Sequence, residues 1–169
     1  MKKANCWIGL IFIVLSLGIL HSFVFAQHDS KSSRQTLKGL KEISVLIELL
    51  DPQIEREGLT RDQLQRDTEL KLRLAGIRVT GLEEQAIKPY MSCIYVRPGV
   101  LKDMYRYVYT VDVQLIQEVS LVRTPNIRAR AVTWLYSVTG VTSEVEDIRT
   151  ATKDLVDRFI NAYLSVNPK

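Results

Sequence analysis

Residues 105–121 read YRYVYTVDVQLIQEVSL, and their alternation decides the fold. Tyr105, Tyr107, Tyr109, Val111, Val113, Leu115, Val119 and Leu121 share one parity, while Arg106, Thr110, Asp112, Gln114, Glu118 and Ser120 hold the other. Side chains of a β-strand alternate between faces, so this pattern predicts one long strand with an apolar and a polar side. Its length is roughly three times the usual strand, which predicts a bulge or bend near Ile116-Gln117. Thr124-Pro125-Asn126 reads as a turn, returning the chain into a partner strand from Ile127 to about Val138.

A register for this pair follows from charge. Setting Leu121 against Ile127 brings Val119 to Ala129, Gln117 to Ala131 and Val113 to Leu135, and places Glu118 opposite Arg130 and Ser120 opposite Arg128. Opposite charges across a ladder favour that register by about 0.2–1 kcal/mol, and a one-residue slip would move every side chain to the other face. In this register Trp134, Tyr136, Val132 and Val138 point away from the helices, beside Ile116, Gln114, Asp112 and Thr110.

Working outward, Glu42 to Leu50 alternates like a half-buried strand and ends at Asp51-Pro52. Thr60 and Gln63 have capping-box spacing and open a helix running to about Ala75, where Gly76 is placed to stop it. Leu64, Leu70, Leu72, Leu74 and Ala75 supply its apolar positions. Ile77 to Val79 reads as a short strand, Glu83 to Pro89 as a polar connector, and Tyr90 to Arg97 as a central strand that Pro98-Gly99 breaks. Ser143 and Glu146 form a second capping box ahead of a final helix with its buried stripe from Val145 to Tyr163. The order β-α-β-β-β-β-α predicts an α+β fold: a two-layer sandwich with a mixed, largely antiparallel sheet of about five strands and two helices on one face.

The chain begins with a different kind of signal. Lys2 and Lys3 precede an apolar run from Cys6 to Leu20, and Val24-Phe25-Ala26 ends the leader with small or β-branched residues at −3 and −1. This is the layout of a secretory signal peptide, residues 1–26, cleaved between Ala26 and Gln27. Residues 27–36 then read as a flexible polar tail, and residues 37–169 as a single α+β domain. The alternative is an uncleaved inner-membrane anchor through residues 7–25, since the apolar run approaches the roughly 20 residues that span a bilayer. The expected location is therefore periplasmic or secreted, with no stable membrane anchor once the leader is removed.

Charge and composition narrow the chemistry. The 169-residue chain carries a formal charge of +4, or +2 without Lys2 and Lys3, with acids and bases interleaved. No basic stripe suited to nucleic acid appears. Cys6 lies in the leader and before the apolar run, so it is not a lipid-attachment cysteine. Cys93 then remains as the only thiol, ruling out an intrachain disulfide, and its apolar neighbours read as core. His28 is the only histidine beyond the leader, too few for a transition-metal site or a Ser-His or Cys-His nucleophile. Eight scattered glycines form no phosphate-binding loop. No catalytic, cofactor or metal residue is therefore assigned.

Two side-chain groups stand out. Asp112 is the one acid in the middle of the long strand, and together with Cys93 it is the least implausible centre for a small periplasmic enzyme, the alternative reading. Trp134 and Tyr136, with Val132, Ile116 and Asp112, would form a binding patch if their face is uncovered. A bulge turning them inward would remove it. The expected partner is another envelope protein or a second copy.

LKGLKEISVLIELLDPQIEREGLTRDQLQRDTELKLRLAGIRV, from Leu37 to Val79, and DLVDRFINAYLSVNPK, from Asp154 to Lys169, resemble a group of exported bacterial proteins without assigned function. That group brings no catalytic motif. The layout alone is similar to small envelope proteins such as the lipopolysaccharide-assembly lipoprotein, which implies partner binding by a sheet and two helices, although the present chain lacks a lipobox.

Overall fold

The computed structural model describes residues 29–81 and 91–168. The expected leader, its expected cleavage point at Ala26-Gln27 and the connector expected at Glu83 to Pro89 lie outside the described residues. Within them the chain runs α1 (Lys31–Gln35), β1 (Glu42–Ile47), α2 (Pro52–Arg56), α3 (Arg61–Leu74), β2 (Arg78–Thr80), β3 (Cys93–Asp103), β4 (Arg106–Leu121), β5 (Thr124–Thr142) and α4 (Val145–Val166). The sheet order is β2-β1-β3-β4-β5; β1 is parallel to β2 and β3, and β3, β4 and β5 form an antiparallel meander. The expected α+β layering is present, with α3 and α4 packed on one face of a five-stranded mixed sheet.

Local signals explain the boundaries. Asp51 ends the β1 segment by capping α2, its carboxylate accepting from the Gln53 amide at 2.7 Å, with Pro52 preset for a first helical turn. The Thr60–Gln63 capping box opens α3 as its spacing predicts. At its far end Gly76 takes φ +83°, and the amides of Ile77 and Gly76 return to the carbonyls of Leu72 and Arg73, closing the helix as a Schellman motif. Leu64 and Leu72 enter the core with Thr68, but Leu70 and Leu74 face solvent. The Ser143–Glu146 box does not form: Glu144 is the N-cap of α4 without a side-chain bond, and the Thr142 hydroxyl caps the turn instead, accepting from the Glu144 amide and donating to Asp147.

Two further expectations are corrected. Pro98-Gly99 does not break β3, which continues to Asp103. The Glu48 amide donates to the Val96 carbonyl, so even-numbered residues of β3 turn their backbone groups toward β1. The β1–β3 pairing ends at Ile47 and Val96, so Pro98 lacks its N–H on a side where no ladder remains. Part of the tail expected at 27–36 is the helix α1, opened by a Ser30–Ser33 capping box, and Leu37 just beyond it is fully buried.

The core lies between the sheet and the helices. Ile43, Val45, Ile47, Ile94 and Val96 meet Leu64 and Leu72 at the α3 end, while Val111, Val113 and Leu115 meet Ile148, Val156 and Phe159 of α4. Two ion pairs hold the helices together: Arg149 to Asp67 at 2.6 Å and Lys71 to Asp157 at 2.7 Å.

Candidate functional site: the outer face of the sheet

The β4–β5 hairpin decides which side chains reach the open face. From Ile116 to Ser120 the register is the one charge predicts, with Ile116 opposite Val132, Gln117 opposite Ala131, Glu118 opposite Arg130, Val119 opposite Ala129 and Ser120 opposite Arg128. The ion pair, however, runs diagonally, from Arg128 to Glu118 at 3.5 Å. Between Ile116 and Leu115 the ladder shifts: Leu115 pairs with Trp134, leaving Thr133 as the extra residue of a bulge on β5. Val113 therefore faces Tyr136, not Leu135, and Asp112 faces Ser137, not Tyr136. At the tip the chain turns at Val122-Arg123, with Leu121 opposite Thr124, so the expected Leu121–Ile127 pair is absent.

That one inserted residue splits the expected patch. Trp134 and Tyr136 lie on the helix side, 0 % and 5 % exposed, with the Trp134 indole edge-on to Phe159 at 5.3 Å and the Arg158 guanidinium 4.6 Å from the Tyr136 ring centre. The indole N–H of Trp134 donates to Asp29 at 3.1 Å. Asp29 also accepts two bonds from Arg34, and that pairing holds its carboxyl below the ordinary carboxylate range. Ile116, Val132 and Asp112 remain on the outer face, with Val132 48 % exposed and Asp112 buried.

Successive rows cross β3, β4 and β5 on this outer face. The central row is Arg97, Asp112 and Ser137. Asp112 accepts from Arg97 Nε at 3.1 Å and Nη2 at 2.7 Å on one oxygen and from the Ser137 hydroxyl on the other, while Arg97 also lies 3.9 Å from Glu48. Beside it the hydroxyls of Thr110 and Thr139 meet at 3.0 Å. Past them come Leu101, Val108 and Val141, all exposed. On the other flank lie Tyr95, Gln114 and Leu135, then Ile116 and Val132. Burial and the neighbouring Glu48 carboxylate push the Tyr95 phenol up.

This arrangement suits recognition better than bond-breaking. Both Asp112 oxygens are engaged by fixed donors, and Cys93 is 1 % exposed. A cavity of about 270 Å³ at the bulge, lined by Gln114, Val132, Thr133, Trp134 and Leu135, is smaller than the usual small-molecule cleft. Among the described residues no group of three His, Cys, Asp or Glu side chains converges to hold a metal ion, and no helix is long and apolar enough to cross a membrane.

Arg97 is the outer-face residue that the sequence reading missed. The signal was available: Met104-Tyr105 is a two-residue turn joining Asp103 to Arg106, and counting back from it sets Arg97 opposite Asp112. A strand broken at Pro98 hides that count.

No protein-family model and no curated protein matches the chain. Among solved structures it is similar to the PelC dodecamer from Paraburkholderia phytofirmans, at 15 % identity and TM-score 0.44, covering 85 % of this chain and 96 % of that one. It is also similar to a minor lipoprotein from Acinetobacter baumannii, at 10 % identity and TM-score 0.32, covering 72 % and 91 %. Likeness of this degree leaves function to be argued from the residues themselves.

Proposed function

We propose that this protein is an exported, non-catalytic binding or assembly module of the bacterial envelope that engages its partner with the outer face of the sheet. The observation that carries the reading is the make-up of that face: among the described residues both long helices pack on the opposite side, and a fixed polar row, Arg97–Asp112–Ser137, lies between the exposed side chains of Leu101, Val108 and Val141 and the half-open Ile116–Val132 pair. A partner strand or loop laid there would bury the apolar flanks, while the ordered polar row would fix its orientation at little further entropic cost. Export is supported by Lys2, Lys3, the apolar run and Val24-Phe25-Ala26.

A photo-crosslinking residue placed at Val108, compared with one at Lys153 on α4, tests the face in the living cell. Adducts at Val108 and none at Lys153 are expected; equal yields at both, or none at either, would sink the reading. Intact mass of the exported protein tests the leader, with Gln27 the expected first residue and a chain beginning at Met1 the result that replaces secretion with anchoring.

A further inference from the structure

β5 is the last strand of the sheet, and among the described residues no backbone–backbone hydrogen bond reaches the edge it turns away from β4. The two halves of that edge differ. From Thr124 to Thr133 it carries Pro125, Arg128, Arg130 and the bulge, all features that discourage another strand from pairing. From Leu135 to Thr142 it reads LYSVTGVT, with no charge, no proline and no bulge. The ladder alternation fixed by Glu48 and Val96 carries across the meander. It gives the even residues of this stretch to β4 and turns the backbone N–H and C=O of Leu135, Ser137, Thr139 and Val141 outward.

An uncharged edge can meet its own copy across a two-fold axis without setting like charges together. In an antiparallel pair centred on Val138, where Ser137 of each copy faces Thr139 of the other, Arg130 of each copy comes level with the turn that opens α4 of the other. Glu144, Glu146 and Asp147 are all exposed in that turn, whereas the hairpin arm beyond the bulge carries Arg123, Arg128 and Arg130 against a single acid, Glu118. Basic arm and acidic turn are thus complementary in the same register that joins the uncharged edges.

We propose that the chain pairs with a second copy of itself through the Leu135–Thr142 edge of β5, forming one continuous sheet, with Arg130 of each copy against the acidic turn of the other. The contact uses the edge and not the outer face, so it does not rest on the binding reading above; a strict monomer that still crosslinks through Val108 would end this proposal and leave that one standing.

Sedimentation equilibrium of the purified protein across the micromolar range tests it. The wild-type chain is expected to reach a dimer. Thr139→Pro, which removes an outward N–H without touching the bonds to β4, is expected to weaken it at least about tenfold while circular dichroism stays that of the folded protein. Arg130→Glu is expected to weaken the dimer, and adding Glu144→Arg to the same chain to restore it. A wild-type monomer throughout, a folded Thr139→Pro dimer of unchanged strength, or no restoration by the double reversal would each overturn the proposal. Should Thr139→Pro unfold, the charge reversals decide alone.

Discussion

Thr133 is the residue on which the site turns. Without it, Trp134 and Tyr136 would stand on the open face; with it, Trp134 is sealed against Phe159 and tied to Asp29, so its size serves the core and not a partner. Trp134→Ala is therefore expected to cost about 3–5 kcal/mol of stability, read as a lower denaturant midpoint with little change in slope. Trp134→Phe, which keeps a ring but loses the bond to Asp29, should cost about 1 kcal/mol. A Trp134→Ala protein as stable as wild type would contradict the burial. Asp29 itself is unreadable as a structural residue because Trp134, which donates to it, is very far away in sequence and the polar stretch around Asp29 has no periodicity.

Among the elements, the long strands show how local signals and long-range pairing divide the work. The period of two along β4 gives its faces without help from the rest of the chain. The bulge, foreseen near Ile116-Gln117 from length alone, falls opposite that point on β5, and no local signal tells which strand will carry the extra residue. Gly140 marks another pairing constraint. A Cβ built there would lie 2.7 Å from the Tyr109 ring across the ladder, so the aromatic ring occupies the space that glycine leaves. Gly140→Ala is expected to cost about 1 kcal/mol, at the low end for overpacking because the contact is the far end of a side chain that can swing. In a Tyr109→Ala background the same change should cost close to nothing. A double-mutant cycle with equal costs in both backgrounds would exclude the contact as the reason for the glycine. The capping residues behave similarly: Thr60 and Gln63 cap α3 as their spacing indicates, whereas Thr142 displaces Ser143 because it also reaches Asp147.

At the scale of the whole molecule, the Asp29 carboxylate ties the N-terminal segment to Trp134 of β5 and ion pairs tie α3 to α4, and these carboxylates set the response to acid. The hydrogen bond from Arg34 holds Asp29 below the ordinary carboxylate range, and that from Arg149 does the same for Asp67. A group lowered in the folded state stabilises fully above its unfolded value, near 3.9 for aspartate, and loses that contribution as pH falls through the folded value. The melting temperature is expected to stay level from neutral pH to about pH 5 and to fall below that, with a shallower fall in Arg149→Met, followed by thermal denaturation. An unchanged slope in that variant would remove Asp67 from the account. By itself the sequence determined the α+β order, the two faces of β4, the α3 cap and its glycine stop, because each depends on residues within a turn or two or on a period along one element. Only the tertiary structure decided that Trp134 is core and that the N-terminal segment docks through Asp29 and Leu37. Each of these depends on which strand absorbs an extra residue or on what a distant segment covers. A one-residue difference in pairing exchanges the faces of a strand while leaving its own alternation unchanged.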